Sequence, residues 1–397
     1  MDPIWLLLLL PFAAGSGWLG AARALAKKRQ REVSLPTAYF KGLNFLLNEQ
    51  HDKALEVLVT ALEQDKETVE VQLALGSLFR KRGEIQRATR VHQNLVARTQ
   101  LDDSQKLHAL YELAQDYYKA GLLDRAEHLL VEIGGVDELE ESAQQLLLQI
   151  YEQEKEWESA IKVARNLEAF DGQSLSGVIA QYHCEIAENA ITEGRYGFAQ
   201  ARIREAIEID GACVRAIIQS GRVRAIQGDH RGAIGEWVKG VDRHSELPGE
   251  ITGLIQNSYR ILGALDEYRE FLKNMLKSRD DIRLVLALTE CFDDWGGGEI
   301  AETFLLEKIR SNPSIPGLHR LIQMRLAQSN FPNNQDLGLL EKLIGGIVAD
   351  ESGYECRHCG FRGKVMHWQC PGCRTWNTTY SRHQQRGNIP HVSNLVC

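Results

Sequence analysis

Nine prolines in 397 residues, no strand-like alternation across the body of the chain, and no HExxH, GxSxG or Walker-type loop mark this sequence by what it has little of. Scarce proline leaves helices uninterrupted, and the missing alternation excludes a body built from half-buried strands. The absent motifs remove the signatures of metalloprotease, α/β-hydrolase and phosphate-loop chemistry. Charged residues at 25% and hydrophobic ones at 44% are ordinary for a folded protein. They exclude global disorder, collagen and a polytopic membrane protein. The length excludes a single small domain, because one hydrophobic core stops growing near roughly 250 to 300 residues.

Net positive charge is missing from the middle. Formal net charge is −8, yet five basic residues and no acid lie between Arg23 and Arg31, and six face only Glu355 between Tyr354 and Cys397. The body from Glu32 to Gly353 therefore holds 35 basic against 52 acidic residues, a balance of −17. That argues against general nucleic-acid binding by the body, since phosphate contacts need clustered Lys and Arg.

Long apolar runs are also scarce, with one exception. Ile4 to Ala22 is nineteen residues without a charge, about 28 Å as a helix, enough to span a hydrocarbon core of roughly 30 Å. A cleaved signal would carry a basic region upstream, where Asp2 is the only charge. Arg23, Lys27, Lys28, Arg29 and Arg31 follow the run, which places the remainder on the cytoplasmic side of the membrane. Gly15, Gly17 and Gly20 match a dinucleotide-binding pattern, but that chemistry needs a preceding strand and a βαβ unit. Ala13, Gly17 and Ala21 share one helix face, where a second copy or another membrane helix can approach closely.

From Thr37 to about Ala349 apolar residues recur at helical spacing, in a repeat. Ala54, Ala88, Ala126, Ala160, Ala199, Ala233 and Ala301 stand 34, 38, 34, 39, 34 and 68 residues apart. Twelve positions before each stands a residue that is small in most units, as at Gly42, Gly76, Ala114, Ala187 and Gly221. Nine before is often aromatic, as at Phe45, Phe79, Tyr117 and Tyr151, and five before is mostly Gly, as at Gly83, Gly121, Gly194 and Gly228. Tyr259, Gly263 and Tyr268 fill the missing unit. A small residue lets two helices approach, an aromatic ring fills the gap, Gly ends the first helix at positive φ, and Ala lets the second return. The pattern resembles the tetratricopeptide repeat (TPR). The spacings of 38 and 39 predict longer inter-repeat loops around Thr99 to Ser104 and Phe170 to Ser176.

The expected fold class is all-α: a TPR superhelical solenoid with an N-terminal transmembrane helix and a small C-terminal rubredoxin-like metal knuckle domain. The expected divisions are an anchor over 1–22, a basic juxtamembrane linker over 23–36, an array of about eight to nine repeats over 37–349, and a metal-binding domain over 350–397. First helices of such arrays line a protein-binding surface. By repeat position Arg80, Lys81, Tyr111, Tyr118, Gln149 and Arg222 are candidates for it.

Cys356, Cys359, Cys370 and Cys373 form two C-x₂-C pairs separated by ten residues. Four thiolates in this spacing close a tetrahedral site for one iron or zinc ion, and the donor set leaves the choice of metal open. Phe361 and Trp368 lie between the pairs to cover it, and four cysteines suffice without His358 or His367. Cys184, Cys213 and Cys291 read as ordinary buried thiols in helices, and Cys397 as an exposed terminal one. The pairs resemble the knuckles of rubredoxin, with two departures: Arg374 stands where Gly is usual, and the intervening loop is short. A segment this small builds little core, so the ion should supply folding energy. A basic tail and an acidic body predict that the tail folds against the array.

The segments GLNFLLNEQHDKAL (42–55), LGSLFRKRGEIQRA (75–88) and YECRHCGF…HWQCPGCRTW, in this order after a membrane span, resemble the lipopolysaccharide assembly protein B family from end to end. The resemblance implies a non-enzymatic inner-membrane regulator of lipopolysaccharide synthesis. It further implies an adaptor that promotes degradation of the LpxC deacetylase by the membrane protease FtsH and gathers lipopolysaccharide enzymes at the membrane. Its metal ligands fall on Cys356, Cys359, Cys370 and Cys373. Two other classes stay open on the residues alone: a rubredoxin-like electron-transfer protein, and a zinc-ribbon nucleic-acid binder using Arg357, Arg362, Lys364 and Arg374.

Overall fold

The computed structural model describes residues 41–42, 44–45, 50, 53–54, 56–57, 69–133, 139–172, 174–243, 248–279, 281–293, 297–327, 334–350 and 353–382. The span expected over 1–22, its Ala13, Gly17 and Ala21 face, the basic linker and Cys397 lie outside them. Among the described residues no helix is long and apolar enough to cross a membrane.

The helical periodicity becomes sixteen helices among those residues. Six lie in a first compact unit that ends at Phe170: α1 Val69–Lys81, α2 Ile85–Val96, α3 Asp103–Lys119, α4 Leu123–Ile133, α5 Glu140–Glu154 and α6 Trp157–Asp171. The second unit holds α7 Ser176–Thr192, α8 Tyr196–Ile209, α9 Val214–Ile226, α10 His230–Arg243, α11 Pro248–Ile261, α12 Leu265–Ser278, α13 Ile282–Asp293, α14 Gly298–Ser311, α15 Ile315–Ala327 and α16 Asn334–Asp350. It also holds the strands β1 Tyr354–Cys356, β2 Arg362–Gly363 and β3 Thr379–Ser381.

Six of the described pairs are closed by one backbone device. The residue nine before the repeat alanine accepts a hydrogen bond from the N–H five residues on: Glu84 to Phe79, Leu122 to Tyr117, Glu156 to Tyr151, Arg195 to Ala190, Asp229 to Arg224 and Ala264 to Tyr259, all at 2.8–2.9 Å. This is the bond that ends a helix through a left-handed residue. That residue is Gly83, Gly121, Gly194, Gly228 and Gly263 in five of these units, and Lys155 at φ 60° in the other. The geometry holds even where Ala190 and Arg224 replace the aromatic, because it is carried by main chain.

All seven repeat alanines are fully buried, as is Tyr268 in their place. Four residues further along each second helix lies a side chain that sequence reading missed. His92, Leu130, Trp237, Leu272 and Leu305 are at most 1% exposed there. His92 and Trp237 press on Gly76 and Gly221, where an added Cβ would stand 2.2 Å from each ring. The small residue of the first helix is the socket for this knob.

The longer loop expected around Thr99 to Ser104 is present as the six-residue connection 97–102, against four residues in 210–213, whereas the one expected around Phe170 to Ser176 is helix instead. Both α3 and α7 have 17 residues against 13 in α9. The connection 172–175 is no longer than 210–213. Four added residues are about one helical turn, so the packing face stays in register. Asp102 anchors the lengthened α3 with a capping box, accepting from Gln105 N–H at 2.7 Å.

Candidate metal centre and its docking surface

The two C-x₂-C pairs fold into matching knuckles. In the first, Cys356 N–H donates to Phe361 O at 2.8 Å and Gly360 N–H to Cys356 O at 2.9 Å. In the second, Cys370 N–H donates to Thr375 O at 3.0 Å and Arg374 N–H to Cys370 O at 2.8 Å. Gly360 and Arg374 occupy the same place, at φ 73° and 59°. Arg374 therefore takes up the left-handed turn that Gly would hold without strain. Strand β1 pairs antiparallel with β2 and β3, in the order β2-β1-β3. Glu355 on β1 bonds Arg362 and Arg382, each at 3.2 Å, and so ties both flanking strands to the central one.

The four cysteine sulfurs lie within 4.8 Å of one another, with Cys356 3.7 Å from Cys373 and Cys359 3.6 Å from Cys370. Sulfurs held tetrahedrally at about 2.3 Å from one ion stand roughly 3.8 Å apart, so the cluster fits a single ion without rearrangement. The surroundings favour thiolates. The Thr378 hydroxyl, 3.2 Å from Cys356 Sγ, and then the N–H groups of Cys359 and His358 lower the Cys356 thiol. The Thr375 side chain and backbone N–H bring Cys373 down to about 5. At Cys359 the Phe361 N–H acts in the same sense, but desolvation and the neighbouring thiols prevail and push it up to about 12. Four thiolates this close repel one another, and a bound cation would remove that repulsion. When bound, the ion joins strands that have almost no apolar core of their own. Cys356 and Cys370 are buried, whereas Cys359 faces solvent.

The knuckles rest on α7 and α9. Asn377 Oδ1 accepts from Gln181 Nε2 at 2.8 Å, and Trp376 meets Tyr182 edge to face at 5.8 Å between centroids. The Arg215 guanidinium lies 5.9 Å from the Trp368 ring and is held by Glu185 at 2.7 Å. Trp368, expected to cover the metal, meets the dock. The added first turn of α7 contributes Gly177, whose missing Cβ would lie 3.9 Å from the Asn377 amide. The tail does fold against the array, through amide and ring contacts in which the array supplies the cation. None of Gln181, Tyr182, Arg215 or Asn377 stood out in the sequence, because the contacts follow no period.

The six residues assigned to a protein-binding surface all lie on first helices. In the first unit Arg80 pairs with Glu112 at 2.5 Å and Asp116 at 2.7 Å on α3. Tyr111 is half-buried, and burial followed by its bond to Ser142 sets its hydroxyl, with a net upward shift. Tyr118 is half-buried with the Lys119 ammonium 5.6 Å from its ring, while Lys81 and Gln149 are exposed. In the second unit Arg222 bonds Glu188 on α7 at 3.0 Å. Arg80 and Arg222 therefore each tie one first helix to a neighbouring one.

A family profile described as "Rubredoxin metal binding domain" matches residues 354–379. The chain is 32% identical over 375 residues to "Lipopolysaccharide assembly protein B" of Escherichia coli (strain K12), covering 94% of this chain and 96% of that protein. It is 31% identical over 394 residues to the protein of that name from Haemophilus influenzae, covering 96% and 99%. The chain belongs to the lipopolysaccharide assembly protein B family. Among solved structures, "Functional Characterization of Pseudomonas Aeruginosa pilF" aligns with 60% of this chain and 96% of that one, at 18% identity and TM-score 0.32. "Structure of Naa15/Naa10 bound to HypK-THB" aligns with 80% and 51%, at 11% identity and TM-score 0.43. As a member of the family, the chain couples paired helices to a four-cysteine metal domain within one compact unit.

Proposed function

We propose that this protein is a non-catalytic adaptor of the inner membrane that regulates lipopolysaccharide synthesis. It is anchored by residues 4–22, with the repeats and the metal domain on the cytoplasmic side. Its repeats hold a client, the LpxC deacetylase, and its anchor sits beside the membrane protease FtsH, so that the client is degraded. It also gathers other lipopolysaccharide enzymes. The observation that carries this reading is the similarity to lipopolysaccharide assembly protein B along 94–96% of the chain. The helical pairs support it, since stacked pairs offer a long surface for protein partners. Exposed Lys81 and Gln149, with half-buried Tyr111 and Tyr118, offer such contacts in the first unit.

The test is to delete the gene, or the segment 1–22 alone, and follow the half-life of the deacetylase. A longer half-life in both strains is the expected result. An unchanged half-life removes the adaptor reading.

A further inference from the structure

Beneath the docked knuckles lies a second pair of thiols. Cys184, on α7, and Cys213, the residue before α9, are both buried, with sulfurs 3.8 Å apart. Cys213 is not within a helix, as the sequence had implied, and its side chain is free of the rotamer limits of a helical position. Three polar groups converge on its sulfur: the Cys184 thiol at 3.8 Å, the Ala216 backbone N–H, and Gln181 Nε2, which donates at 3.6 Å. The hydrogen bond with Cys184, and then the Ala216 N–H, lower the Cys213 thiol against burial, while the same pairing together with burial pushes Cys184 well up. A sulfur at a helix N-terminus with donors beside it has the surroundings that favour a thiolate, and burial holds it unreactive until the cover opens.

Gln181 connects this pair to the metal domain. The same amide nitrogen that reaches Cys213 donates to Asn377 Oδ1 at 2.8 Å, and the neighbouring Tyr182 is covered by Trp376. The docked knuckles thus hold in place the side chain that covers Cys213. The two sulfurs need to close by roughly 1.7 Å to reach the disulfide length of about 2.05 Å, and Cys213 can swing on extended backbone to do so.

We propose that Cys184 and Cys213 form a dithiol that hydrogen peroxide oxidises to a disulfide, shielded by the docked metal knuckles. The Cys213 thiolate attacks one peroxide oxygen, the O–O bond breaks, and the departing hydroxide takes a proton to leave as water. Cys184 then attacks the resulting sulfenic sulfur, forming the S–S bond and releasing a second water. Two thiols and one peroxide give one disulfide and two waters, and thiol exchange with a cellular dithiol reverses the step. The pair is separate from the metal ligands, and the proposal is independent of which client the repeats hold.

The experiment treats full-length, metal-loaded protein with hydrogen peroxide and maps cysteine-linked peptides by mass spectrometry over time. Three samples are compared: the native protein, the protein after chelation, and Asn377→Gly, which keeps all four ligands and the left-handed turn but lacks the amide that engages Gln181. A Cys184–Cys213 peptide is expected, forming roughly tenfold faster in the two altered samples, as local opening exposes the sulfur. In Cys184→Ser, Cys213 is expected to be trapped as a dimedone-reactive sulfenic acid. Absence of the linked peptide from all three samples would show ordinary core thiols and overturn the proposal. Equal rates in the native protein and Asn377→Gly would overturn the shielding.

Discussion

Gln181 and Asn377 are 196 positions apart in sequence and share a hydrogen bond of 2.8 Å. Asn377 stands at φ 56°, a conformation Asn tolerates better than most residues. One residue thus turns the chain after Trp376 and presents an amide to α7. The bond places the metal domain on first helices of the second unit, so that domain and the repeats there are parts of one packed body.

Removing the ion should therefore be felt beyond the tail. In Cys370→Ser with Cys373→Ser, loss of the Trp376 and Trp368 contacts is expected to destabilise α7 and α9 by about 1 to 3 kcal/mol. Hydrogen exchange at the amides of 176–192 and 214–226 should speed up accordingly. Unchanged protection there would show that the array does not lean on the knuckles.

A buried charge network ties the first unit. His92 Nδ1 lies 2.6 Å from Asp116 Oδ2, both side chains fully buried, and Asp116 Oδ1 accepts from Arg80. Burial opposes the charge on Arg80, but Glu112 and Asp116 more than offset it and hold the guanidinium above its ordinary value. Asp116→Ala leaves His92 without this partner and Arg80 with Glu112, so it should cost about 3 to 5 kcal/mol in denaturant melts. Glu112→Gln, at a more exposed partner, should cost less.

Lys155 occupies the helix-ending position that Gly holds in its neighbours, at φ 60°. Lys155→Gly should stabilise the first unit by about 1 kcal/mol, seen as a higher melting temperature, because it relieves the left-handed strain of a side chain. The same substitution at Arg374 should help the second knuckle in the same sense. A loss of stability at both positions would mean that the side chains contribute more than the turn strains.

Alkaline pH should act through Tyr151. Burial, followed by the hydrogen bond its hydroxyl donates to Glu127 at 2.7 Å, raises it from the ordinary 10 to about 12. The folded state therefore favours the neutral phenol. Its contribution is complete below pH 10, where the unfolded tyrosine is also neutral, and is lost as pH rises from about 10 to about 12. Tyrosinate absorbance should show a late-titrating fraction that also contains the buried Tyr268, raised above its ordinary value by desolvation, and Tyr151→Phe should remove one group from it.

The two knuckles, the repeat and the sites of glycine turns were legible in the sequence because each is local. A C-x₂-C turn or a left-handed residue five before an alanine is set by backbone sterics over a few residues, so spacing alone reveals it. The knob position after each alanine escaped notice because His92, Leu130 and Trp237 share burial but no residue type. The lengthening of α3 and α7 escaped because an inserted turn and an inserted loop are the same number of residues.

By itself, the sequence determined the helical pairs, the four ligands and the family, all carried by short-range geometry or by matching residues in order. Only the tertiary structure decided that Arg80 ties α1 to α3, that Trp376 and Asn377 find α7, and that Cys184 meets Cys213. Those contacts join positions far apart in the chain, and their energy comes from burying particular rings, amides and charges against one another, for which no period or motif exists to be read.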